Sequence, residues 1–406
     1  MKKTLLLSVV ASTMIMAGGS IDPVEPVVET EASTTEAGTH ASNWDFNGQA
    51  VVYYQTVEAG EGDLFEQANA AAAAGVQLSA VNKDLIGGIG AGVELSGLSS
   101  VGLENDVVSA LVQNATGDLT GAAITQAYLT YGLGNTSVKV GRQQLPKSLS
   151  PFAFSEGWNV FKNTFEAALV VNSDLPDTTL VYAYVTRSNQ IGQLNQWARI
   201  NNNHDNGAVH MLTAQNTSVA GLTLTGTYYI APDFTPADDL SVIWGDAKFN
   251  VSNYSVALQG GTILAEDLAP GYKDTTAFGA KVGATFGMFD TSVAYSTVDD
   301  GSVPIHNLGT GVKTPLYTQM ILNQGRIKSD NDTVVLRAGM KALGGKFGVA
   351  YDMTTDNSAA ENDSTELDVV YTTKVGNVNL LAGYVLVTQD KAEDINVVRV
   401  WGKYNF

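Results

Sequence analysis

The side chains that most often perform catalysis or bind metals are scarce in this sequence. The chain has 406 residues, no cysteine and four histidines, which are His40, His204, His210 and His306. Without cysteine there is no disulfide framework, zinc ribbon, iron–sulfur cluster or thiol nucleophile. A hydrolase would need a Ser/His/acid group or paired carboxylates, and no histidine lies near a recognisable nucleophile motif. We therefore expect that the protein is not an enzyme and has no cofactor.

The other side chains that could have a function are charged residues separated by an even number of positions in extended segments. Arg337 with Lys341, and Arg399 with Lys403, would each share one face of a strand. If such strands enclose a central lumen, the acidic residues expected to face it are Asp45, Glu94, Glu166, Asp246, Asp352, Glu366 and Asp368. Charges of both signs around a water-filled pore orient dipolar solutes and set an ion preference. The alternative for each single residue is ordinary solvation, but the scarcity of basic residues favours a role for the group of Arg337, Lys341 and Arg399.

Composition and charge exclude several classes of protein. Hydrophobic residues make up 44% of the chain and charged residues 16%, against about 25% charged in a typical soluble domain. Beyond the first twenty residues no apolar run approaches the roughly 18 residues that a membrane helix needs. The formal net charge of −19 argues against a nucleic-acid partner, because phosphates would be repelled.

The N-terminal residues have the order of parts found in a secretory signal. Residues 1–19 contain two lysines, then an apolar stretch and a small-residue cleavage zone, which predicts a signal peptide. Residues 20–42 carry five acidic residues and little that could pack, so we expect a flexible acidic leader. A partner-binding segment is the alternative for this leader.

From Trp44 onward, apolar and polar residues alternate with a period of two. Leu222, Leu224 and Tyr228 share one face of a segment, for example, opposite a row of threonines. Such strands fit either a soluble sandwich or a membrane barrel, and the connection lengths distinguish the two. Short turns alternate with long polar loops, which predicts an all-β transmembrane antiparallel β-barrel of about 18 strands over residues 43–406, with periplasmic turns and extracellular loops.

Aromatic residues support a membrane barrel. Phe278 and Phe286 are eight residues apart, about 26 Å along a strand, which approximates two aromatic girdles around an apolar band. The final segment alternates up to Tyr404 and Phe406. This ending resembles the C-terminal signal of bacterial outer-membrane proteins. We therefore expect a multi-pass protein of the bacterial cell outer membrane.

The number of strands, the chain length and the segment 138–145 followed by Ser150-Pro-Phe resemble the OprD-type family of outer-membrane porins, including the major porins of epsilon-class bacteria. The resemblance implies that the third long loop, residues 146–162, folds inward to constrict the pore. It also implies a ladder of basic residues along the inner wall. The candidate pore-lining residues are then Arg142, Lys147, Glu156, Glu166, Arg337, Lys341, Asp352, Arg399 and Lys403. Simple alternation groups Arg142 with two valines, so its membership requires either a bulge or a different strand register.

The predicted function is passive or facilitated diffusion of ions and small hydrophilic solutes through a porin. A hydrophobic-substrate transporter and an adhesive or structural barrel are the alternatives. The expected partners are outer-membrane lipid, lipopolysaccharide, the solutes themselves and, by analogy, two further copies in a homotrimer. Acidic outer loops suggest Ca²⁺ binding and a weak preference for cations, which the basic residues deeper in the pore would oppose.

Overall fold

The computed structural model describes residues 43–60, 62–113, 120–157, 159–189, 193–201, 207–235 and 238–406. The predicted signal peptide, residues 1–19, and the predicted leader, residues 20–42, lie outside these residues.

Most of the described chain is strand, and the described residues contain no α-helix. The strands are β1 (Trp44–Ala59), β2 (Ala70–Ile86), β3 (Ile89–Ser99), β4 (Thr120–Leu133), β5 (Thr136–Gln143), β6 (Phe165–Asn172), β7 (Thr178–Asn189), β8 (Trp197–Arg199), β9 (Val209–Asn216), β10 (Leu222–Ala231), β11 (Leu240–Val251), β12 (Tyr254–Leu264), β13 (Thr275–Phe286), β14 (Phe289–Val298), β15 (Asn331–Ala342), β16 (Gly345–Asp356), β17 (Ser364–Val375), β18 (Val378–Gln389) and β19 (Ala392–Asn405). Four short 3-10 helices lie in the connections: η1 (Gln67–Asn69), η2 (Leu103–Asn105), η3 (Glu266–Leu268) and η4 (Asn323–Gly325). No helix in the described part of the chain has the length and apolar character needed to cross a membrane.

The strands close into a barrel of 18 antiparallel strands. Each strand pairs with the next, and β1 pairs with β19 in a register that places Val51 opposite Lys403. β8 is the exception, because it pairs only with the end of β7, while β7 continues the wall by pairing with β9. The predicted fold class is therefore confirmed. Closure matters physically because it leaves no sheet edge with unpaired backbone groups.

Alternation along each strand gives the barrel an apolar outer face. On β13, Phe278 and Val282 point outward and are 45% and 56% exposed, whereas Ala277, which faces the lumen, is buried. An exposed apolar band around a closed barrel is the arrangement that lipid requires, because every backbone group is satisfied within the wall. The inner face is mixed, with apolar residues at some levels and charged residues at others.

The turns are short at one end of the barrel. Gly287 and Gly376 begin two of them with positive φ values of 61°, a conformation that glycine adopts without steric cost. At the other end the connections are longer, including residues 144–164 and 299–330. The predicted separation of short turns from long loops is thus present. The three-residue strand β8 was not predicted.

Candidate functional site

Loop 146–162 lies inside the barrel. Its Phe152 is fully buried and packs edge-on against Tyr229 and Trp244 of the wall, with ring centroids 5.8 and 5.2 Å apart. The backbone N–H of Phe152 donates to the Tyr229 hydroxyl at 3.1 Å. Tyr229 faces inward, since its neighbour Tyr228 is exposed on the outside. Aromatic packing therefore holds this loop against the inner wall.

A second long loop, residues 299–330, also enters the lumen, although its length and position in the sequence predict an ordinary outer loop. The hydroxyls of Thr318 and Ser296 on β14 are 2.5 Å apart. The Asn323 amide donates to the carboxylate of Asp352 on β16 at 2.7 Å. One signal in the sequence could have revealed this docking: between residues 302 and 325, Lys313 is the one Lys, Arg, Asp or Glu. A loop with so little charge favours burial over exposure.

Glu156 links the two inner loops. Its carboxylate accepts hydrogen bonds from the Asn307 amide at 2.8 Å and from the backbone N–H of Lys313 at 3.2 Å. The Lys313 ammonium in turn donates to the carbonyls of Met320 and Ile321, at 3.1 and 2.7 Å. Glu156 and Lys313 are both buried. Glu156, which was predicted at the constriction, thus connects the two inner loops through hydrogen bonds and is buried.

The buried Lys313 predicts a pH dependence. Burial lowers the pKa of Lys313 from 10.5 to about 8, although Glu156 and Glu366 favour its charged form. Between those two pH values the unfolded chain holds more protons than the folded chain, so the free energy of unfolding should rise with pH there. At about 1.36 kcal/mol per pKa unit, the rise is on the order of 3 kcal/mol.

Urea unfolding in lipid vesicles between pH 8 and 10.5 checks this expectation. The Lys313→Gln variant removes the titrating group and serves as the reference, because the other titrating groups stay in both proteins. The wild type should show the steeper rise in unfolding free energy with pH. Equal slopes for the two proteins would contradict the assignment.

Arg337 and Asp352 face inward, as their spacing predicted, but they do not contact open water. Arg337 is 3% exposed and donates to the Gln319 carbonyl at 2.9 Å, and Asp352 is fully buried beneath Asn323. Because both side chains are buried, they do not line the channel, and the prediction that they do is wrong. Loop 299–330 packs over this part of the wall, and the two charges anchor it there.

The other predicted residues on the inner side differ in their contacts and in their exposure. Lys147 donates to the Thr314 carbonyl at 3.1 Å and so joins the inner loops. Arg399 on β19 donates to the Gln55 side-chain oxygen at 2.9 Å and is half-buried. Lys403 is buried with its ammonium 5.5 Å from the Trp401 ring, and Lys341 is exposed near a short turn.

Arg142 and Glu166 lie on the outer face, so their prediction as pore-lining residues is wrong. They are paired across β5 and β6, next to the pair Gln143 and Phe165, which is buried inside the barrel. Successive residues point to opposite faces, and the pairing of β5 continues without a register shift. Simple alternation therefore holds for Arg142, and a salt bridge of 2.7 Å joins it to Glu166 outside the wall.

A group of inward lysines near the short-turn end was predicted only in part. We call them the lumen lysines: Lys139, Lys248, Lys281, Lys341, Lys346, Lys374 and Lys403. They lie on seven different strands. Lys248 forms a salt bridge with Asp246 at 3.2 Å, and Lys346 forms one with Asp290 at 3.0 Å. Lys341 and Lys374 form no salt bridge with any residue that the structure describes.

The described residues contain no group of three or more His, Cys, Asp or Glu side chains placed to hold a metal ion. The Ca²⁺ site expected at the acidic outer loops stays a prediction.

Comparison with known proteins gives matches in structure alone. No protein-family model matches the sequence, and no curated protein sequence matches it. OccAB3 of Acinetobacter baumannii is similar in structure, with a TM-score of 0.72 and 14% identity, over 89% of this chain and 99% of that one. OccK1 (OpdK) of Pseudomonas aeruginosa has a TM-score of 0.72 and 12% identity, over 89% and 98% of the two chains. OccK3 (OpdO) of Pseudomonas aeruginosa has a TM-score of 0.71 and 14% identity, over 89% and 95%. The resemblance to OprD-type barrels is thereby confirmed at the level of the fold.

Proposed function

We propose that this protein is a porin of the bacterial outer membrane, through which ions and small hydrophilic solutes diffuse. The observation that carries the proposal is a closed 18-strand barrel with an apolar outer face and charged residues on its inner face. A barrel of this size leaves room for an aqueous channel, whereas eight-stranded barrels fill their interior with side chains. The structurally similar Occ proteins are outer-membrane channels, which supports the same location and class for this chain.

The inner loops suggest that diffusion is selective. Loops 146–162 and 299–330 bond to one another and to the wall, so a solute has to pass beside them. Membrane lipid and lipopolysaccharide on the outside, and solutes on the inside, are the partners that this proposal implies. The homotrimer and the lack of catalytic activity stay predictions.

Single-channel recording in planar bilayers tests the proposed function. Purified folded protein should produce discrete conductance steps in KCl, because a barrel of 18 strands is wide enough for an aqueous channel. Heat-unfolded protein from the same preparation is the control and should produce none. A folded, inserted protein that gives no steps would exclude a porin and favour an adhesive or structural barrel.

A further inference from the structure

Three of the six arginines in the chain lie together on the outside of the barrel. Arg142 is on β5, Arg187 on β7 and Arg199 on β8. We call them the arginine cluster. Arg187 is paired with Glu166, which faces outward, and Arg199 is paired with Arg187. All three lie near the long-loop ends of their strands.

The cluster carries more positive charge than Glu166, its one acidic neighbour among the described residues, can balance. Glu166 forms a salt bridge to Arg142 at 2.7 Å and a longer contact to Arg187 at 3.8 Å. Arg199 forms no salt bridge with any residue of the described chain. Like charges directly opposite one another in a sheet are destabilising, yet Arg187 and Arg199 occupy such positions. An anion between the two guanidinium groups would relieve this repulsion.

The aromatic surroundings match the edge of a lipid bilayer. The Arg142 guanidinium lies 3.6 Å from the Trp197 ring centre, which holds it against the wall. Further along the same outer face, the Tyr182 hydroxyl and the His210 ring nitrogen are 2.9 Å apart. Tyrosine and tryptophan concentrate where a barrel meets lipid headgroups.

The cost of burying arginine in lipid limits the depth in the bilayer at which the arginine cluster can lie. An arginine on the outer face costs about 2–4 kcal/mol at the middle of a bilayer and about 0–1 kcal/mol near its surface. Three arginines at one place therefore indicate the headgroup level. The Arg187 side chain is 45% exposed, so N–H donors remain open to a ligand.

We propose that the arginine cluster binds a phosphate group of an anionic glycolipid in the outer leaflet. Guanidinium groups donate paired hydrogen bonds to phosphate oxygens with matching geometry. Glu166 orients Arg142 and Arg187 and carries one negative charge against three positive charges. Positive charge on the cluster therefore remains available to the phosphate. The inference rests on the proposed outer-membrane location and adds a site on the opposite face of the wall from the channel.

Native mass spectrometry of the detergent-solubilised protein tests this site. The probes are diphosphorylated lipid A and the same lipid with its phosphates removed. The test variant is Arg187→Gln with Arg199→Gln, which leaves the salt bridge between Arg142 and Glu166 in place. The control, Lys273→Gln with Lys391→Gln, removes two exposed charges at the same end of the barrel but away from the cluster.

Wild type and control should retain diphosphorylated lipid A, and retention by the test variant should fall about tenfold or more, since charged hydrogen bonds are lost. Equal retention by wild type and test variant, or equal retention of both lipids, would overturn the proposal. Full displacement of the lipid by millimolar inorganic phosphate would show a free-phosphate site and would also overturn it. Conductance steps should be the same in all three proteins, so a failure of the channel proposal is seen separately.

Discussion

Replacing residues 303–327 with a short glycine–serine linker is expected to raise the single-channel conductance about twofold or more, because a loop that occupies the lumen is removed. Conductance in a water-filled pore is limited by its narrowest part. Residues 303–327 contain most of the contacts that keep loop 299–330 inside the barrel. Planar-bilayer recordings in symmetric KCl measure the effect directly.

The contacts show why this loop should matter more than an ordinary surface connection. Tyr317 donates to the Asp246 carboxylate on β11, and Arg326 forms a salt bridge with Glu366 on β17. The loop thus reaches wall strands on well-separated parts of the barrel. Ile321 also belongs to an apolar cluster with wall residues. Removing the loop exposes that apolar wall to water, which costs stability but leaves the strand pairing intact.

A milder variant guards against failure to fold. Asn323→Ala removes the amide that bonds to Asp352 and to the Thr318 carbonyl, and it should make the conductance fluctuate between a low and a higher level. The control replaces residues 358–361, a connection at the outer rim, with the same kind of linker. Conductance that is unchanged in both loop 299–330 variants would show that this loop does not limit the pore.

The strands were predictable from sequence because lipid and water impose opposite demands on alternate residues. Along β13, Phe278 and Val282 meet the outside and Lys281 meets the lumen, and this period of two is visible in the printed sequence. The short turns at Gly287 and Gly376 were visible as well. Local patterns of this kind fix which residues face outward and how many strands there are.

The lumen was harder to predict because its contacts join residues far apart in sequence. Glu156 and Asn307 meet across 151 positions, and no periodic pattern marks such a pair. Arg337 and Asp352 could face inward either toward water or toward a loop that covers the wall. Their inward direction alone therefore did not predict that they are buried. The error at Arg142 had another cause. Alternation correctly predicts an outward Arg142, whereas the basic ladder implied by the family resemblance favours an inward position.

Lysines on the inner face of the barrel should influence whether the channel prefers anions or cations. Lys341 and Lys374 are exposed lumen lysines near the short turns, and neither forms a salt bridge with a described residue. The neighbouring Lys346, in contrast, is paired with Asp290. The charges of Lys341 and Lys374 are therefore available to attract anions, in opposition to the acidic outer loops.

Lys341→Glu with Lys374→Glu should shift the reversal potential toward cation preference. The shift should be on the order of 10–30 mV in a tenfold salt gradient, for which perfect selectivity gives about 59 mV. Charges on the inner wall act on every ion that passes through the barrel, whereas the effect of charges on the outer loops is screened over about 10 Å at 0.1 M salt. The control, Lys273→Glu with Lys391→Glu, makes the same charge change at the mouth and should shift the potential less. If the two double variants shift it equally, the lumen lysines do not set the ion preference, and the acidic loops determine it instead.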